Sequence, residues 1–232
     1  MTSISFKDVS VKFQLKANSS VGFRAKYKDF LALKRISIGF VAGDKVGLLG
    51  ENGAGKTTFL KVASKILPPD SGEVLTTGGV YTALSMRGNM LQEASCMENI
   101  LLRGHYHGLH GDQLSEFVAG VVESAAIDDF LYQPLKTLSK GMRSRLIISM
   151  FYVASTDILI FDEWIGVMDK TQFNAGTTLS RIIDEAKIVL MASHKLGVIE
   201  KYCTKVIVME KGSIKYFGPT QEALEFYKEL KG

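Results

Sequence analysis

Cysteine is scarce in this chain, which has two, Cys96 and Cys203, among 232 residues. They lie far apart and lack metal-type spacing, which excludes a disulfide framework and fits a reducing, cytoplasmic setting. Long apolar runs are missing too. The longest, such as LIISMFYVA at 146–154, fall short of the ~20 residues that cross a bilayer. The opening MTSISFKDVSVKF alternates as a strand does and is not a secretion signal. If the protein works at a membrane, something else must anchor it. A strong charge of one sign is also absent: 28 basic against 24 acidic residues leave +4, too little to argue for nucleic acid. Eight basic residues between Lys7 and Arg35 face only Asp8 and Asp29. That cluster fits a solvated strand edge as well as it fits anionic lipid or a membrane partner. A second basic group, Lys136, Lys140, Arg143 and Arg145, lacks the interleaved aromatics of a nucleic-acid module, and contacts to phosphate and to a partner explain it better.

With 46% hydrophobic and 22% charged residues, the chain has the composition of an ordinary folded protein, and its length suits one domain with subdomains. Residues 4–13 and ISIGF at 36–40 read as strands, and 16–31 as a basic, aromatic stretch of open conformation. KVGLLG at 45–50 is a buried strand running into a glycine-rich turn and the helical KTTFLKVASKIL, which ends at Pro68-Pro69. Short strands follow in SGEVLTTGGVYTALS. From about 97 to 153 the pattern is mostly helical, broken by GLHGD and YQPLKTLSKG. A buried strand at 157–163, a helix to about Ala186, a strand at 187–193, a hairpin at 205–218 turning at Glu210-Lys211-Gly212, and a final helix with Thr220 as its cap complete the chain. Strands alternating with helices predict a parallel α/β sheet, with a β-rich start and a helical middle as additions.

The most specific stretch is GENGAGKTT at 50–58, which satisfies G-x-x-x-x-G-K-[ST] between a strand and a helix. Gly50, Gly53 and Gly55 let backbone amides turn inward around phosphate oxygens, and the following helix adds its positive end. The nucleotide-binding stretch is thus Gly50, Glu51, Asn52, Gly53, Ala54, Gly55, Lys56, Thr57 and Thr58, with Lys56 reaching the β/γ-phosphates and the Thr57 hydroxyl ligating Mg²⁺. ILIFDE at 158–163 delivers two acids from an apolar strand, an expensive burial unless a cation or hydrogen bonds compensate. Asp162 suits the magnesium shell opposite Thr57, and Glu163 the polarisation of the attacking water. His194, after the next strand, reads as a γ-phosphate sensor. HYHGLH at 105–110 offers only the 107/110 pair at helical spacing, so it is read as a polar helix end and not as a metal site.

Four motifs in this order, GENGAGKTT, TLSKGMRSRL, ILIFDEWIGVMD and MASH, resemble the Walker A, signature, Walker B/D-loop and H-loop of an ABC-transporter ATPase. The resemblance covers essentially the whole chain. It implies a P-loop NTPase of RecA-like parallel-sheet core with an antiparallel β subdomain and an inserted α-helical subdomain at about 97–153, all in one domain, 1–232. It also implies a head-to-tail homodimer in which Ser139 and Gly141 of one copy cap the ATP held by the other's P-loop, with Asp169 bridging the copies. By the same resemblance the enzyme uses ATP and Mg²⁺, works with a separate integral-membrane permease and no nucleic acid, and lies peripherally on the cytoplasmic face of a bacterial inner membrane. Lys140 and Met142 depart from the usual signature. The Q-loop glutamine is replaced by Ser85 or Met86, with Gln92 displaced, and Phe23, Tyr27 or Phe30 could stack on adenine. SKGMRSRL, the glutamine-poor region before ENI and the ending GPTQEALEFYKEL resemble the branch that exports capsule, O-antigen or teichoic acid, in its short form without a carbohydrate-binding domain. The rival reading is a nucleotide-switched binding module with little transport role. A translation-type ABC protein would carry two cassettes.

Overall fold

The computed structural model describes residues 1–16, 27–84, 90–154, 157–162 and 178–231. In chain order the elements are β1 (Ser3–Lys16), β2 (Tyr27–Val41), β3 (Lys45–Leu49), α1 (Lys56–Ala63), β4 (Ser71–Thr77), β5 (Val80–Ala83), α2 (Cys96–Tyr106), α3 (Gly111–Ala125), α4 (Lys140–Ala154), β6 (Ile158–Asp162), α5 (Thr178–Glu185), β7 (Ile188–Ala192), α6 (Leu196–Tyr202), β8 (Lys205–Glu210), β9 (Ser213–Pro219) and α7 (Thr220–Lys231). They group into two compact units, one of Met1–Leu84, Ile158–Gly166 and Lys187–Gly232, the other of Ser85–Asp157 and Val167–Ala186.

The first unit contains two sheets. One runs β5-β6-β7-β3-β8-β9, parallel except for the hairpin return of β9. Every residue of β6 and β7 is buried, as is all of β3 but Lys45, which is why these strands read as unbroken apolar runs without alternation. The alternating edge strand β9 is reached through Lys211 and Gly212, both at positive φ (47° and 81°), as a two-residue hairpin turn requires. The other sheet, β2-β1-β4, is antiparallel. Its register slips near Val9, where Asp8 and Arg35 both take positive φ and their side chains pair at 2.8 Å. Helix α1 joins the two sheets into one core. Phe59 is fully buried, stacked on Phe6 at 4.6 Å and edge-on to Phe40 at 6.2 Å, in the same cluster as Ile160 and Leu190 of the parallel sheet.

In the second unit α2 opens with a capping box in which Ser95 and Glu98 exchange hydrogen bonds, an arrangement that also holds the Glu98 carboxyl below its usual range. From Leu146 to Phe151, α4 is buried on every side, as a helix without a polar stripe must be. Helix α5 belongs to this unit as well, outside the 97–153 span read from the sequence.

Three details differ from the sequence expectation. Strand β2 begins at Tyr27 and not near 36, because residues 27–31 pair with 12–16 even though they are solvent-exposed and carry no burial pattern. The short helix α6 adds an element between the strand at 187–193 and the hairpin at 205–218. Thr220 does not cap α7 with its side chain; its hydroxyl donates to the Cys203 carbonyl at 2.7 Å.

Candidate active site

The parallel register brings three strand ends together. Strand β7 pairs with β3 on one side (Ala192 opposite Leu48) and with β6 on the other (Ala192 opposite Asp162). The 50–55 loop after β3, Asp162 at the end of β6 and His194 after β7 therefore share the carboxyl edge of the sheet, where open α/β sheets bind ligands.

Glycine is required by geometry at two loop positions. At Gly50 (φ 152°) a Cβ would meet the Met209 carbonyl oxygen at 2.5 Å, and at Gly55 (φ 106°) the Ala32 carbonyl oxygen at 2.6 Å. Strands β8 and β2 thus press the loop from both sides, and the Gly212 amide donates to the Ala54 carbonyl at 3.0 Å. Lys56 is buried, and its ammonium donates to the carbonyls of Gly50 (2.7 Å) and Glu51 (3.0 Å), so it spans the loop. The Thr57 hydroxyl donates to Asp162 Oδ2 at 2.6 Å, across 105 residues of sequence. A hydroxyl beside a carboxylate is a hard-oxygen donor pair of the kind Mg²⁺ takes, so these residues fit the ion expected between them.

Beside the loop lies a cavity of about 190 Å³ lined by residues 52–58 together with Ala32, Phe13 and Phe30. Phe13 and Phe30 face each other across the β1–β2 ladder. Of the three aromatics that could stack on the base, Phe30 lines this cavity, Tyr27 is not among its lining residues, and Phe23 lies outside the described residues. Sequence reasoning missed Phe13, because only the strand pairing carries it to the loop. His194 and Gly50 line a second cavity of about 330 Å³, closed by Tyr227, Lys228 and Lys231 of α7. Glu163, Asp169, Ser85 and Met86 fall outside the described residues.

Ser139 and Gly141 stand in the second unit, at the start of α4. Ser139 Oγ accepts from the Met142 amide at 3.2 Å, and a Cβ on the exposed Gly141 would meet nothing within 4 Å. The tip therefore offers a hydroxyl, bare backbone and a helix N-terminus, with Lys140 and Arg143 and no acid in the first turn. Gln92 is half-buried; its side-chain amide lies 3.5 Å from the Met90 carbonyl, and its own carbonyl accepts from Lys136 at 3.0 Å.

A phosphate loop, a hydroxyl–carboxylate pair and a strand-end histidine on one sheet edge define a P-loop nucleotide hydrolase. The family model described as ABC transporter matches residues 33–166. The teichoic acids export ATP-binding protein TagH of Listeria monocytogenes serotype 4b (strain F2365) is 32% identical over 238 residues, covering 98% of this chain and 70% of that protein. Its counterpart in Levilactobacillus brevis is 35% identical over 89% of this chain and 57% of its own length. The ABC transporter protein AbcA of Aeromonas salmonicida is 29% identical over 89% and 68%. The chain thus spans between 57% and 70% of the length of these relatives. Among solved structures, a dimeric ATP-binding cassette in a post-hydrolysis state with ADP and Pi bound aligns at a TM-score of 0.72 and 17% identity, over 94% of this chain and 98% of that one. An ATP-binding subunit of an ABC transporter aligns at 0.71 and 18%, over 97% and 93%. The chain belongs to the ABC transporter family, as an ATP-binding and ATP-hydrolysing subunit. Among the described residues, no helix is long and apolar enough to cross a membrane.

Proposed function

We propose that this chain powers export of a teichoic-acid or capsule-type polysaccharide, on a lipid carrier, through a separate permease at the cytoplasmic face of the membrane. The observation that carries this reading is its likeness to teichoic acids export ATP-binding proteins over 89–98% of its residues. Lys56 holds the β/γ-phosphates; it exchanges the loop carbonyls it now spans for phosphate oxygens. Phe13 and Phe30 receive the base in the cavity they line. Thr57 and Asp162 hold Mg²⁺, which when bound neutralises charge developing on the phosphates. Glu163 orients and deprotonates the attacking water, and His194 contacts the γ-phosphate. In a head-to-tail dimer, Ser139 and Gly141 close the γ-phosphate held by the partner copy, where Lys140 and the positive N-terminal end of α4 meet the anion.

The test is reconstitution with the permease in liposomes supplied with lipid-linked polymer. ATP turnover is expected to rise when permease and polymer are both present, and polymer is expected to become accessible on the far side. Lys56→Ala should abolish both signals. Turnover indifferent to permease and polymer would defeat the transport reading while leaving the ATPase intact.

A further inference from the structure

The loop before α4 is braced in layers. The Leu135 and Lys136 amides donate to the carbonyls of Ala94 (2.9 Å) and Gln92 (3.0 Å), while those of Cys96 and Met97 donate to Gln133 (3.1 Å) and Leu131 (2.8 Å). The buried Asn99 holds the other side of this ladder, accepting from the Leu91 amide (2.8 Å) and donating to the carbonyls of Leu91 (2.9 Å) and Ser95 (2.8 Å). Residues 137–139 continue beyond the braced base, and Arg143 gathers them in. Its guanidinium Nη2 donates to the carbonyls of Leu135 (3.3 Å) and Leu138 (3.4 Å), while its backbone amide makes the ordinary i→i−4 helix bond to the Ser139 carbonyl at 3.0 Å. A cation in the first turn of a helix sits where the helix dipole disfavours it, and no acid in that turn offsets it. Helix stability therefore does not explain the residue, whereas tethering the tip does.

We propose that Arg143 is a positioning residue for the composite ATP site, fixing the Ser139–Gly141 tip so that it can close on the partner copy's nucleotide. The proposal rests on the head-to-tail reading above. The arginine itself touches no nucleotide; it acts by holding two carbonyls and so setting the direction in which the serine hydroxyl and the α4 amides point.

The experiment uses the full chain with Glu163→Gln to block turnover, and measures two quantities. One is ATP-analogue affinity at protein concentrations too low for dimerisation; the other is ATP-driven dimerisation by sedimentation. Arg143→Met, which keeps the aliphatic stem and removes the donors, should leave monomer affinity unchanged and weaken dimerisation about tenfold or more, the usual cost of charged hydrogen bonds. Arg143→Lys, which restores a donor cation, should recover much of the loss. Parent-like dimerisation of the Met variant, equal loss of monomer affinity, or no rescue by Lys would each overturn the proposal. If the Met variant fails to fold, Arg143→Gln replaces it under the same criteria. A parent chain that does not dimerise with ATP would defeat the head-to-tail reading itself, a result distinct from a parent that dimerises and an Arg143 variant that matches it.

Discussion

Side chains at the loop after β3 work within fixed walls. Gly55 is pressed against the Ala32 carbonyl at a φ of 106°, so Gly55→Ala combines a clash with a strained backbone. We expect it to lower unfolding free energy by about 1–3 kcal/mol in urea titrations and to weaken nucleotide binding at the same time. Gly53→Ala, which meets nothing within 4 Å, should cost less. His107 tests a different kind of wall. Burial, with a lesser push from Arg103, lowers its pKa from 6.5 to about 4. The unfolded chain therefore takes up a proton below pH 6.5 that the folded chain refuses until about pH 4. The contribution to stability is full above 6.5 and is lost as pH falls between those values. Melting temperature should decline across that window, and His107→Gln should flatten the decline. Lys56, Thr57 and Asp162 were legible as motif residues, since their chemistry depends on type and spacing. Phe13 was not, because its alternating pattern is that of any strand, and its place beside the loop depends on the partner strand's register.

At the scale of elements, buried strands announced themselves and exposed ones did not. Strands β3, β6 and β7 read directly as apolar runs, while the first five residues of β2 are exposed and carry no alternation that marks a strand. Their pairing with β1 turns a basic, aromatic stretch into an arm carrying Phe30 opposite Phe13 above the phosphate loop. Helix α6, seven residues long and with only Ile199 and Tyr202 buried, is too short to show a helical period. The arm yields a separable prediction. Phe13→Ala and Phe30→Ala should each weaken ATP binding about tenfold, the scale of one base–aromatic stack, and leave inorganic tripolyphosphate binding unchanged. Equal loss for both ligands in calorimetry would show that the rings support the loop and not the base.

At the scale of the whole molecule, the proposed head-to-tail dimer is what gives the signature stretch a ligand. Ser139, Lys140 and Gly141 present a hydroxyl, a cation and bare backbone, a set that suits a phosphate, and they stand in the unit that does not hold the phosphate loop. That is why the sequence announced the motif and could not supply its substrate. Cross-linking tests the answer cleanly, because the two native thiols are silenced by the fold. Cys96 and Cys203 are both buried, and burial pushes the Cys96 thiol up and the Cys203 thiol up to about 12. Introduced cysteines are then the reactive ones. Chains bearing Glu163→Gln and Gly53→Cys, mixed with chains bearing Glu163→Gln and Ser139→Cys, should join on adding ATP and a short bifunctional maleimide. Neither chain should join efficiently to its own kind, since each composite site brings one loop against one tip. Adding Lys56→Ala to the Gly53→Cys chain should remove the product by emptying the loop that the tip must meet. Cross-linking that ignores ATP, or that links like chains as readily as unlike ones, would mean that the copies do not meet loop to tip.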